Sequence, residues 1–442
     1  MKTLGLGRLL TNVAATMGRQ LMAGLLQLIT IVVIARIYGA EGNGSYTVSL
    51  LLPTLLASLL NLGIAPANVY FLATGKVSAN AAWCSTLKLF SVIAPIGLIL
   101  GWIAISCYSD KLMPGIPLHL LAISLLAFPL LLMQSLISSF FQGLQKFKQF
   151  NLLQLLHPSL TLSGVVLATL LDAESFTWLL VAHLIATTAT AIVAYCALRP
   201  LIIGNKQKPE GNYELRIVNY GYKAHLSNIL AFANYKADIF LVNFFMGPSG
   251  AGIYIVAVQL TERLWLLSQA VSTVLLPRLS ELSNDDDKRA IITPLITRWV
   301  LLTTLIAGGV LAIVASPLIQ IVFGSEFIAA FPPLLLLLPG VILGSASRVL
   351  ANDIAARGRP ELNMYTSVIV VAVNISMNIA LIPNFGIAGA AIATTIAYSL
   401  NLAMRLAIHH LLTGIDIADN LIIRKDDLVQ LKSAYHLARP KR

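Results

Sequence analysis

The sequence predicts an all-α polytopic membrane protein with about twelve transmembrane helices. First, 57% of the residues are apolar and only 11% are charged, whereas a soluble domain carries about 25% charged residues. Second, the apolar residues form continuous segments that reach the roughly 20 residues a membrane helix needs. Third, basic connecting loops alternate with neutral or acidic ones. Together these observations indicate a chain that crosses a membrane many times.

The predicted spans occupy most of the chain, which leaves room only for short loops and two ends. The first span is too long for a cleaved signal peptide, and no small-residue cleavage site follows it. A large soluble domain is not expected. The predicted spans are 10–37, 45–72, 81–107, 118–142, 150–171, 177–199, 217–246, 251–276, 291–323, 331–356, 362–382 and 386–412.

Charge in the loops predicts the orientation. Of the 30 Lys and Arg residues, 24 lie at the N terminus, in the tail or in the even-numbered loop regions, and the odd loops hold only Arg36 and Lys111. Because cytoplasmic loops of membrane proteins are enriched in Lys and Arg, both termini are expected in the cytoplasm. The net charge of +11 therefore reflects membrane orientation, and we expect no nucleic-acid partner.

The chain divides into two similar halves. We predict an N-terminal six-helix lobe at 1–199, a cytoplasmic linker at 200–216, a C-terminal six-helix lobe at 217–412 and a cytoplasmic tail at 413–442. Each half carries the pattern Gly-x-x-Gly-x-Gly-x-Tyr after its first span, at Gly39–Tyr46 and at Gly247–Tyr254, offset by 208 residues. Six spans per half predict a parallel repeat about an axis along the membrane normal. The pattern itself predicts a tight interhelical turn, because no phosphate-binding Gly-Lys-Ser/Thr follows it.

Five charged residues lie well inside predicted spans, where exposure to lipid would cost each roughly 2.5–3.5 kcal/mol. Residues two apart, or adjacent, point to different sides of a helix, so neighbouring charges cannot simply neutralise each other. At least some of these charges are expected to face a cavity. The five residues are Lys236, Asp238, Glu262, Arg263 and Arg348.

Four further charges, Arg19, Arg36, Asp353 and Arg405, lie nearer the span ends, where snorkelling to water is easy. Counting all nine charges gives a cavity lining of about +3. Such a lining suits an anionic substrate, because Arg binds phosphate oxygens through two parallel hydrogen bonds. Polar stripes are densest in spans 1, 2, 7 and 8, which predicts the main cleft there. The alternative for the uncharged stripes is hydrogen bonding between helices.

No cofactor or metal site is predicted. The three cysteines occur singly, at Cys84, Cys107 and Cys196, and the seven histidines show no metal-ligand spacing. Coupling to H⁺ or Na⁺ is possible through a carboxylate within the membrane, and Asp238 and Glu262 are the candidates.

Several segments resemble one family of transporters. The stretch Ile34–Tyr46 resembles the first loop of Wzx-type polysaccharide flippases, in the multidrug/oligosaccharidyl-lipid/polysaccharide (MOP) exporter superfamily. Gln142–Lys148 resembles the fourth cytoplasmic junction of that family. Phe323–Phe327 with Arg357–Pro360 resembles its tenth-span region, and Pro383–Ala390 resembles the turn before its last helix. The segments follow the family's order over nearly the whole chain.

This resemblance implies two six-helix lobes around a V-shaped cleft. It also implies that the chain flips an undecaprenyl-pyrophosphate-linked oligosaccharide, such as an O-antigen repeat unit, from the cytoplasmic to the periplasmic leaflet of a bacterial inner membrane. Polysaccharide polymerases or glycosyltransferases would be partners. We then expect basic residues to hold the pyrophosphate and acidic sugars, and uncharged residues to bind sugar hydroxyls. The basic residues are Arg19, Arg36, Lys236, Arg263, Arg348 and Arg405, and the uncharged ones are Asn68, Asn234 and Tyr398.

Other classes of membrane protein remain as alternatives. A cation-coupled multidrug exporter of the same superfamily has the same number of spans. A relative that flips lipid-linked peptidoglycan precursor usually has two more. A carrier of the major facilitator type is disfavoured because Ala73–Asn80 lacks its basic loop motif. A membrane enzyme, such as a polymerase or ligase, usually needs a long outer loop with catalytic residues, and none is predicted here, so we expect no enzyme activity.

Overall fold

The computed structural model describes residues 3–171, 175–203, 213–281, 286–423 and residue 427. Within these ranges, the description excludes the side chains of nearly all residues before Leu21 and of several in 218–235 and 267–288. Residues 204–212 of the predicted linker lie outside the described residues, as does most of the predicted tail beyond Ile423.

The described chain is helical, with no strand in any of these ranges. The first eight helices are α1 (Thr3–Ser49), α2 (Leu51–Leu60), α3 (Ile64–Ala73), α4 (Ala79–Leu112), α5 (Leu118–Leu125), α6 (Ala127–Gly143), α7 (Phe147–Leu170) and α8 (Phe176–Ile203). The remaining helices are α9 (Tyr213–Glu262), α10 (Trp265–Glu281), α11 (Asp286–Val322), α12 (Phe331–Ala356), α13 (Pro360–Thr413) and α14 (Ile417–Leu421), with a 3-10 helix at Ser325–Ala330.

Nine helical stretches within the described residues are long and apolar enough to cross a membrane, and they range from 24 to 54 residues. This confirms the prediction of an all-α polytopic membrane protein. The number of spans, twelve, stays a prediction. Predicted spans 1 and 2, 7 and 8, and 11 and 12 are each joined by a helix that continues past the predicted loop, in α1, α9 and α13.

Each of these three long helices is interrupted at one glycine. The backbone torsions are φ 66° and ψ −168° at Gly39, φ 73° and ψ −176° at Gly247, and φ 58° and ψ −141° at Gly386. Positive φ favours glycine because a Cβ would clash in this region. Gly39 and Gly247 begin the two copies of the repeated pattern and break their helices in nearly the same conformation. The predicted turns are therefore present, as single-residue breaks rather than separate loops.

The two copies of the pattern also pack on each other. A Cβ built on Gly44 would overlap the carbonyl oxygen of Pro248, and one built on Gly252 would overlap the carbonyl oxygen of Ala40. The amide Nδ2 of the buried Asn43 donates to the Gly252 carbonyl over 3.0 Å. The contacts are reciprocal, as two copies related by a two-fold axis would make them. Glycine is needed here because the two backbones touch.

The chain divides into two compact units. Their boundaries do not coincide with the predicted linker at 200–216. Unit 1 comprises Met1–Val256, Leu318–Ala330 and Ile382–Ile387. Unit 2 comprises Ala257–Pro317, Phe331–Leu381 and Ala388–Arg442. The core of unit 1 includes fully buried aromatic side chains such as Phe128, Phe140 and Phe141. In unit 2, α10 packs against α12. The two-lobe boundary at 200–216 stays a prediction.

Three predicted spans are interrupted by short breaks between helices, and span 4 breaks at Leu126, between α5 and α6. Predicted span 2 breaks between α2 and α3, where the Asn61 carboxamide oxygen accepts from the Ala65 amide over 3.1 Å and so satisfies the first turn of α3. Predicted span 8 breaks between α9 and α10 at Arg263 and Leu264. In membrane transporters, interrupted helices expose backbone groups where they line cavities. Glu262 and Arg263 thus lie at a helix break rather than within a continuous helix.

Candidate functional site

A cluster of aromatic and basic side chains forms around Trp265 in unit 2. The Trp265 ring lies 5.4 Å from the Tyr398 ring, and the Arg348 guanidinium carbon lies 5.1 Å from the Trp265 ring centroid. The indole N–H donates to the Val341 carbonyl over 3.1 Å, which fixes the ring. At this distance the cation is attracted to the face of the indole. The structure thus brings the predicted residues Arg348 and Tyr398 together on one aromatic side chain.

Two further predicted arginines lie on the same segments of unit 2. Arg405 donates from Nη1 to the carbonyl oxygen of Ser347, over 3.2 Å, and to its hydroxyl, over 3.0 Å. Arg263 donates from Nη2 to Gln259 Oε1 over 2.7 Å, and its buried Nε has no hydrogen-bond partner among the described residues. We call Arg263, Trp265, Arg348, Tyr398 and Arg405 the cationic patch. Sequence reasoning missed Trp265, and the available signal was its place two residues from Arg263, a charged residue inside a predicted span.

The two predicted ion-coupling carboxylates lie in different units. Asp238, in unit 1, is 5% exposed. Its Oδ2 accepts from the Tyr254 hydroxyl over 2.8 Å, and its Oδ1 accepts from the Ile239 amide over 2.8 Å. Glu262, in unit 2, is half-buried at the end of α9. Their roles in coupling stay predictions, as does the role of the half-buried Lys236.

Two predicted binding residues make contacts within the protein. Arg36 donates from Nε to the carbonyl of Val322 over 2.8 Å and from Nη2 to the carbonyl of Ile321. It thus satisfies carbonyl groups at the C-terminal end of α11, where a cation is favourable. Asn68 is fully buried and donates to Thr86 Oγ1 over 3.1 Å and to Ser139 Oγ over 3.5 Å. Side-chain positions of the other two, Arg19 and Asn234, lie outside the described residues.

Asp353 forms a buried ionic cluster in unit 2. Its fully buried carboxylate contacts Arg357 Nε at 2.6 Å, Arg289 Nε at 3.8 Å and His409 Nε2 at 3.5 Å. The Thr293 hydroxyl donates to it over 3.2 Å. Burying a carboxylate requires such charged and hydrogen-bonding partners. Asp353 was counted from the sequence among the charges of a cavity. It is held inside the protein by side chains of α11 and α13 and by Arg357, which directly follows α12.

Unit 1 contains an open cavity of about 900 Å³. Its walls come from α3, α6 and α7, and most of its polar groups are amides and hydroxyls. No charged side chain occurs among the described residues that line it. These residues are Ala65, Pro66, Val69, Tyr70, Leu131, Gln134, Ser135, Ser138, Ser139, Gln142, Phe150 and Gln154. We call this the uncharged cavity.

The polar wall of the uncharged cavity was missed by sequence reasoning. Gln134, Ser138 and Gln142 are spaced by four residues along α6 and therefore share one face of that helix. Ser135 and Ser139 form the adjacent row. The spacing is visible in the sequence, but these residues are uncharged, and the predicted site rested on charged residues and the spans that contain them. Only Asn68, which donates to the lining residue Ser139, pointed toward this region.

A buried polar network lies behind the uncharged cavity. Gln134 donates from Nε2 to the Thr187 carbonyl over 2.7 Å, and the Thr187 hydroxyl lies 3.2 Å from His157 Nε2. The His157 and His183 rings are 5.2 Å apart, edge to face, and the Tyr46 hydroxyl lies 3.0 Å from His183 Nδ1. This network ties α1, α6, α7 and α8 together and fixes the Gln134 side chain at the cavity wall.

Comparisons with known proteins place the chain in a family. The model of a family described as "Polysaccharide biosynthesis protein" matches residues 33–332. The chain is 30% identical over 234 residues to the probable low-salt glycan biosynthesis flippase Agl15 of Haloferax volcanii, covering 52% of this chain and 48% of that protein. It is 32% identical over 195 residues to the probable flippase AglR of the same organism, covering 41% of this chain and 38% of that protein. The matched stretches thus span less than half of the length of these curated relatives.

Solved structures share the fold. The lipid II flippase MurJ in an inward closed conformation superposes with a TM-score of 0.77 at 17% identity, covering 96% of this chain and 93% of that one. An inward-facing multidrug resistance MATE family transporter of the MOP superfamily superposes with a TM-score of 0.71 at 11% identity, covering 91% of this chain and 98% of that one. At these identities the likeness establishes the fold alone. The chain therefore belongs to the polysaccharide biosynthesis protein family, with the fold of the MOP superfamily, as its resemblance to polysaccharide flippases predicted.

Proposed function

We propose that this chain is a flippase that moves a lipid-linked oligosaccharide from one leaflet of the membrane to the other. The observation that carries the proposal is the uncharged cavity of about 900 Å³, which is formed by α3, α6 and α7 and whose polar side chains are amides and hydroxyls. Such groups both donate and accept hydrogen bonds, as sugar hydroxyls do. A hydrated sugar needs these partners when it leaves water.

Two further findings support this function. The chain belongs to a family described by polysaccharide biosynthesis, and both relatives named above are described as probable flippases. The cationic patch supplies arginines suited to an anionic linker, because guanidinium groups bind phosphate oxygens bidentately. Transport of this kind breaks no covalent bond, so the chain needs no catalytic residues.

In its finer form, the proposal names undecaprenyl pyrophosphate as the carrier and an O-antigen or similar repeat unit as the cargo. Both termini would lie in the cytoplasm, as the loop charges predict. The direction would be from the cytoplasmic to the periplasmic leaflet of a bacterial inner membrane. A polymerase or a glycosyltransferase would act on the product or supply the substrate.

Alternating access would carry the sugar across while the lipid tail stays in the bilayer. A ligand shifts such an equilibrium only by binding one conformation better than the other. We propose that H⁺ or Na⁺ does so at Asp238 or Glu262. Asp238 is the stronger candidate because its carboxylate is buried and hydrogen-bonded to Tyr254.

The alternative function is a cation-coupled multidrug exporter, which the fold shared with a MATE transporter favours. A cationic drug is best held by a carboxylate or by an aromatic cage. The described residues that line the uncharged cavity include no carboxylate. We therefore rank this function second.

A deletion strain in which glycosyl transfer is intact tests the proposal. Mass spectrometry would quantify the lipid-linked oligosaccharide, and a membrane-impermeant sugar-modifying reagent would report its leaflet. We expect it to accumulate in the cytoplasmic leaflet while surface polysaccharide is lost. Normal surface polysaccharide with raised sensitivity to cationic drugs would contradict the proposal and favour the exporter.

A further inference from the structure

We infer that the uncharged cavity is the subsite for neutral, hydroxyl-bearing sugars of the glycan, and that it excludes acidic sugars such as uronic acids. This inference rests on the proposed function and specifies its substrate class. It departs from the sequence-based expectation of one cationic cavity for the whole headgroup. Four observations in unit 1 carry it.

The first observation is chemical. The polar side chains of the cavity are three glutamines, three serines and one tyrosine. Amides and hydroxyls can each donate and accept a hydrogen bond, which matches the two roles of a sugar hydroxyl. A carboxylate needs a cationic partner when it leaves water. Among the described residues, the lining supplies no such partner, and Lys76, which contacts the Tyr70 hydroxyl, is not itself a lining residue. A uronate inside the cavity would therefore lose its hydration without a lining cation beside it.

The second observation is that some polar groups are fixed and others are open to a ligand. Gln134 is held by Thr187, Ser135 accepts from Asn61 Nδ2 over 3.2 Å, and Ser139 donates to the Leu136 carbonyl over 2.6 Å. Among the described residues, no side-chain hydrogen bond occurs at Ser138, Gln142 or Gln154. The fixed groups give the cavity a defined shape, and the open groups can exchange water for sugar hydroxyls.

The third observation is size and surface. A cavity of about 900 Å³ falls within the roughly 300–1,000 Å³ range of small-molecule sites. Tyr70 and Phe150 add aromatic faces to the polar wall. Pyranose rings present C–H groups on one face and hydroxyls at the rim, so an aromatic face and an amide wall suit both sides of such a ring. The volume fits a short oligosaccharide rather than a lipid tail or an ion.

The fourth observation is position along the helices. The lining runs along α3 and α6 as far as Tyr70 and Gln142, near the C-terminal ends of these helices, and includes Phe150 and Gln154 near the N-terminal end of α7. The loops at these ends contain Lys76 and Lys146, which the positive-inside rule assigns to the cytoplasm. Lys76 donates to the Tyr70 hydroxyl over 3.0 Å, and its Nζ lies 4.9 Å from the Tyr70 ring centroid. The Lys76 ammonium group therefore lies next to a lining residue of the cavity, where it could bind the phosphate of a lipid-linked glycan.

Reconstitution of the full chain in liposomes tests the inference. One substrate is a polyprenyl-pyrophosphate-linked tetrasaccharide of neutral hexoses, and the matched substrate carries two hexuronic acids. Flipping is measured as the fraction of glycan that an external glycosidase can cleave. The variants are Ser138→Leu, Gln142→Leu and Gln154→Leu. The control is Gln320→Leu, an exposed glutamine of α11 that does not line the cavity.

We expect each cavity variant to move the neutral substrate roughly fivefold to tenfold more slowly, the effect of losing about one hydrogen bond. The control should stay within twofold of the unmodified chain. Gln142→Lys should raise the rate for the acidic substrate relative to the neutral one, because it adds a cation to the cavity. Wild-type rates in all three leucine variants would overturn the inference, as would faster flipping of the acidic substrate by the unmodified chain.

A second measurement separates this inference from the proposed function. In a chain with Cys84, Cys107 and Cys196 replaced by Ser, the Ser138→Cys variant is labelled with a water-soluble maleimide. Neutral tetrasaccharide should slow labelling at least threefold more than the uronate form. If the unmodified chain moves neither lipid-linked substrate, the proposed function fails. If it moves both but neither glycan protects the thiol introduced by Ser138→Cys, only the subsite inference fails.

Discussion

The uncharged cavity of unit 1 and the cationic patch of unit 2 differ in the forces that they can apply to a ligand. The cavity offers amides and hydroxyls without charge. The patch offers Arg348 against Trp265, with Arg263 and Arg405 on the same segments of unit 2. Neutral hydrogen bonds discriminate by geometry, whereas charge-assisted ones are about twice as strong and act on anions. A lipid-linked glycan has both kinds of group. Under the proposed function, we therefore propose that neutral sugars are bound by uncharged side chains and phosphate by basic ones.

Some charged residues of this protein stabilise the fold and are not proposed to bind substrate. Their effects must be distinguished from those of the cationic patch. Asp353 holds Arg357, Arg289 and His409 in the interior of unit 2, and Arg36 satisfies the end of α11 in unit 1. These charges stabilise the helices that carry the two sites. Loss of a buried charged partner is therefore expected to have the largest effect on stability.

Asp353→Ala should destabilise the protein most. It leaves buried cations without their shared carboxylate, a change that costs about 3–5 kcal/mol. Thermal unfolding in detergent would measure it. The control is Asp110→Ala, which removes an exposed carboxylate and should shift stability by less than about 0.5 kcal/mol. Equal stability of the two variants would mean that the cluster does not hold unit 2 together.

Gly44→Ala should cost on the order of 2 kcal/mol, because the added methyl overlaps the Pro248 carbonyl and forces the two repeat copies apart. Gly309→Ala is the matched control, since its Cβ would meet nothing within 4 Å. That variant should be neutral or stabilise its helix by up to about 1 kcal/mol. If both variants unfold at the same temperature, the reciprocal contact of unit 1 is not tightly packed.

Arg348→Ala should slow flipping of a pyrophosphate-linked glycan about tenfold, because it removes a guanidinium group suited to phosphate from the face of Trp265. Arg348→Lys should restore part of the rate, since lysine keeps the charge but loses the planar fork. The liposome assay with the neutral tetrasaccharide measures both. A rate unaffected by Arg348→Ala would remove the patch from substrate recognition.

Glu214→Gln should have the smallest effect and calibrates the others. The pKa of Glu214 is lowered by a hydrogen bond with its own backbone, by the Ser85 hydroxyl and by Lys88. A lowered pKa means that the carboxylate stabilises the fold at neutral pH and that this contribution fades as the pH falls through the pKa of the folded state. For such an exposed ion pair we expect less than about 0.5 kcal/mol. If Glu214→Gln lowers the free energy of unfolding at pH 7 by more than this, the ion pair is not a weak surface contact.

The sequence predicted the helical membrane fold, the polysaccharide flippase family and the equivalence of Gly39 and Gly247, because apolar length and repeated glycines are local signals. It also singled out Arg348 and Tyr398, which meet on Trp265. It could not reveal that the break at Gly39, Gly247 and Gly386 is confined to one residue. The residues on both sides of each glycine are helical, and only the glycine itself has a positive φ.

The candidate site was less predictable than the fold. A count of charges cannot distinguish Asp353, whose carboxylate is paired with Arg289 and Arg357 inside the protein, from an arginine that faces a ligand. Conversely, Gln134, Ser138 and Gln142 carry no charge, and polar residues at helical spacing also occur as contacts between helices. Only packing showed that this face of α6 borders a cavity.

The most direct test is a structure of the full chain in lipid nanodiscs with the polyprenyl-pyrophosphate-linked neutral tetrasaccharide bound. Our account predicts sugar density between α3, α6 and α7, within hydrogen-bonding distance of Ser138, Gln142 and Gln154. Density for the sugars at the cationic patch, with the uncharged cavity filled only by water, would contradict it.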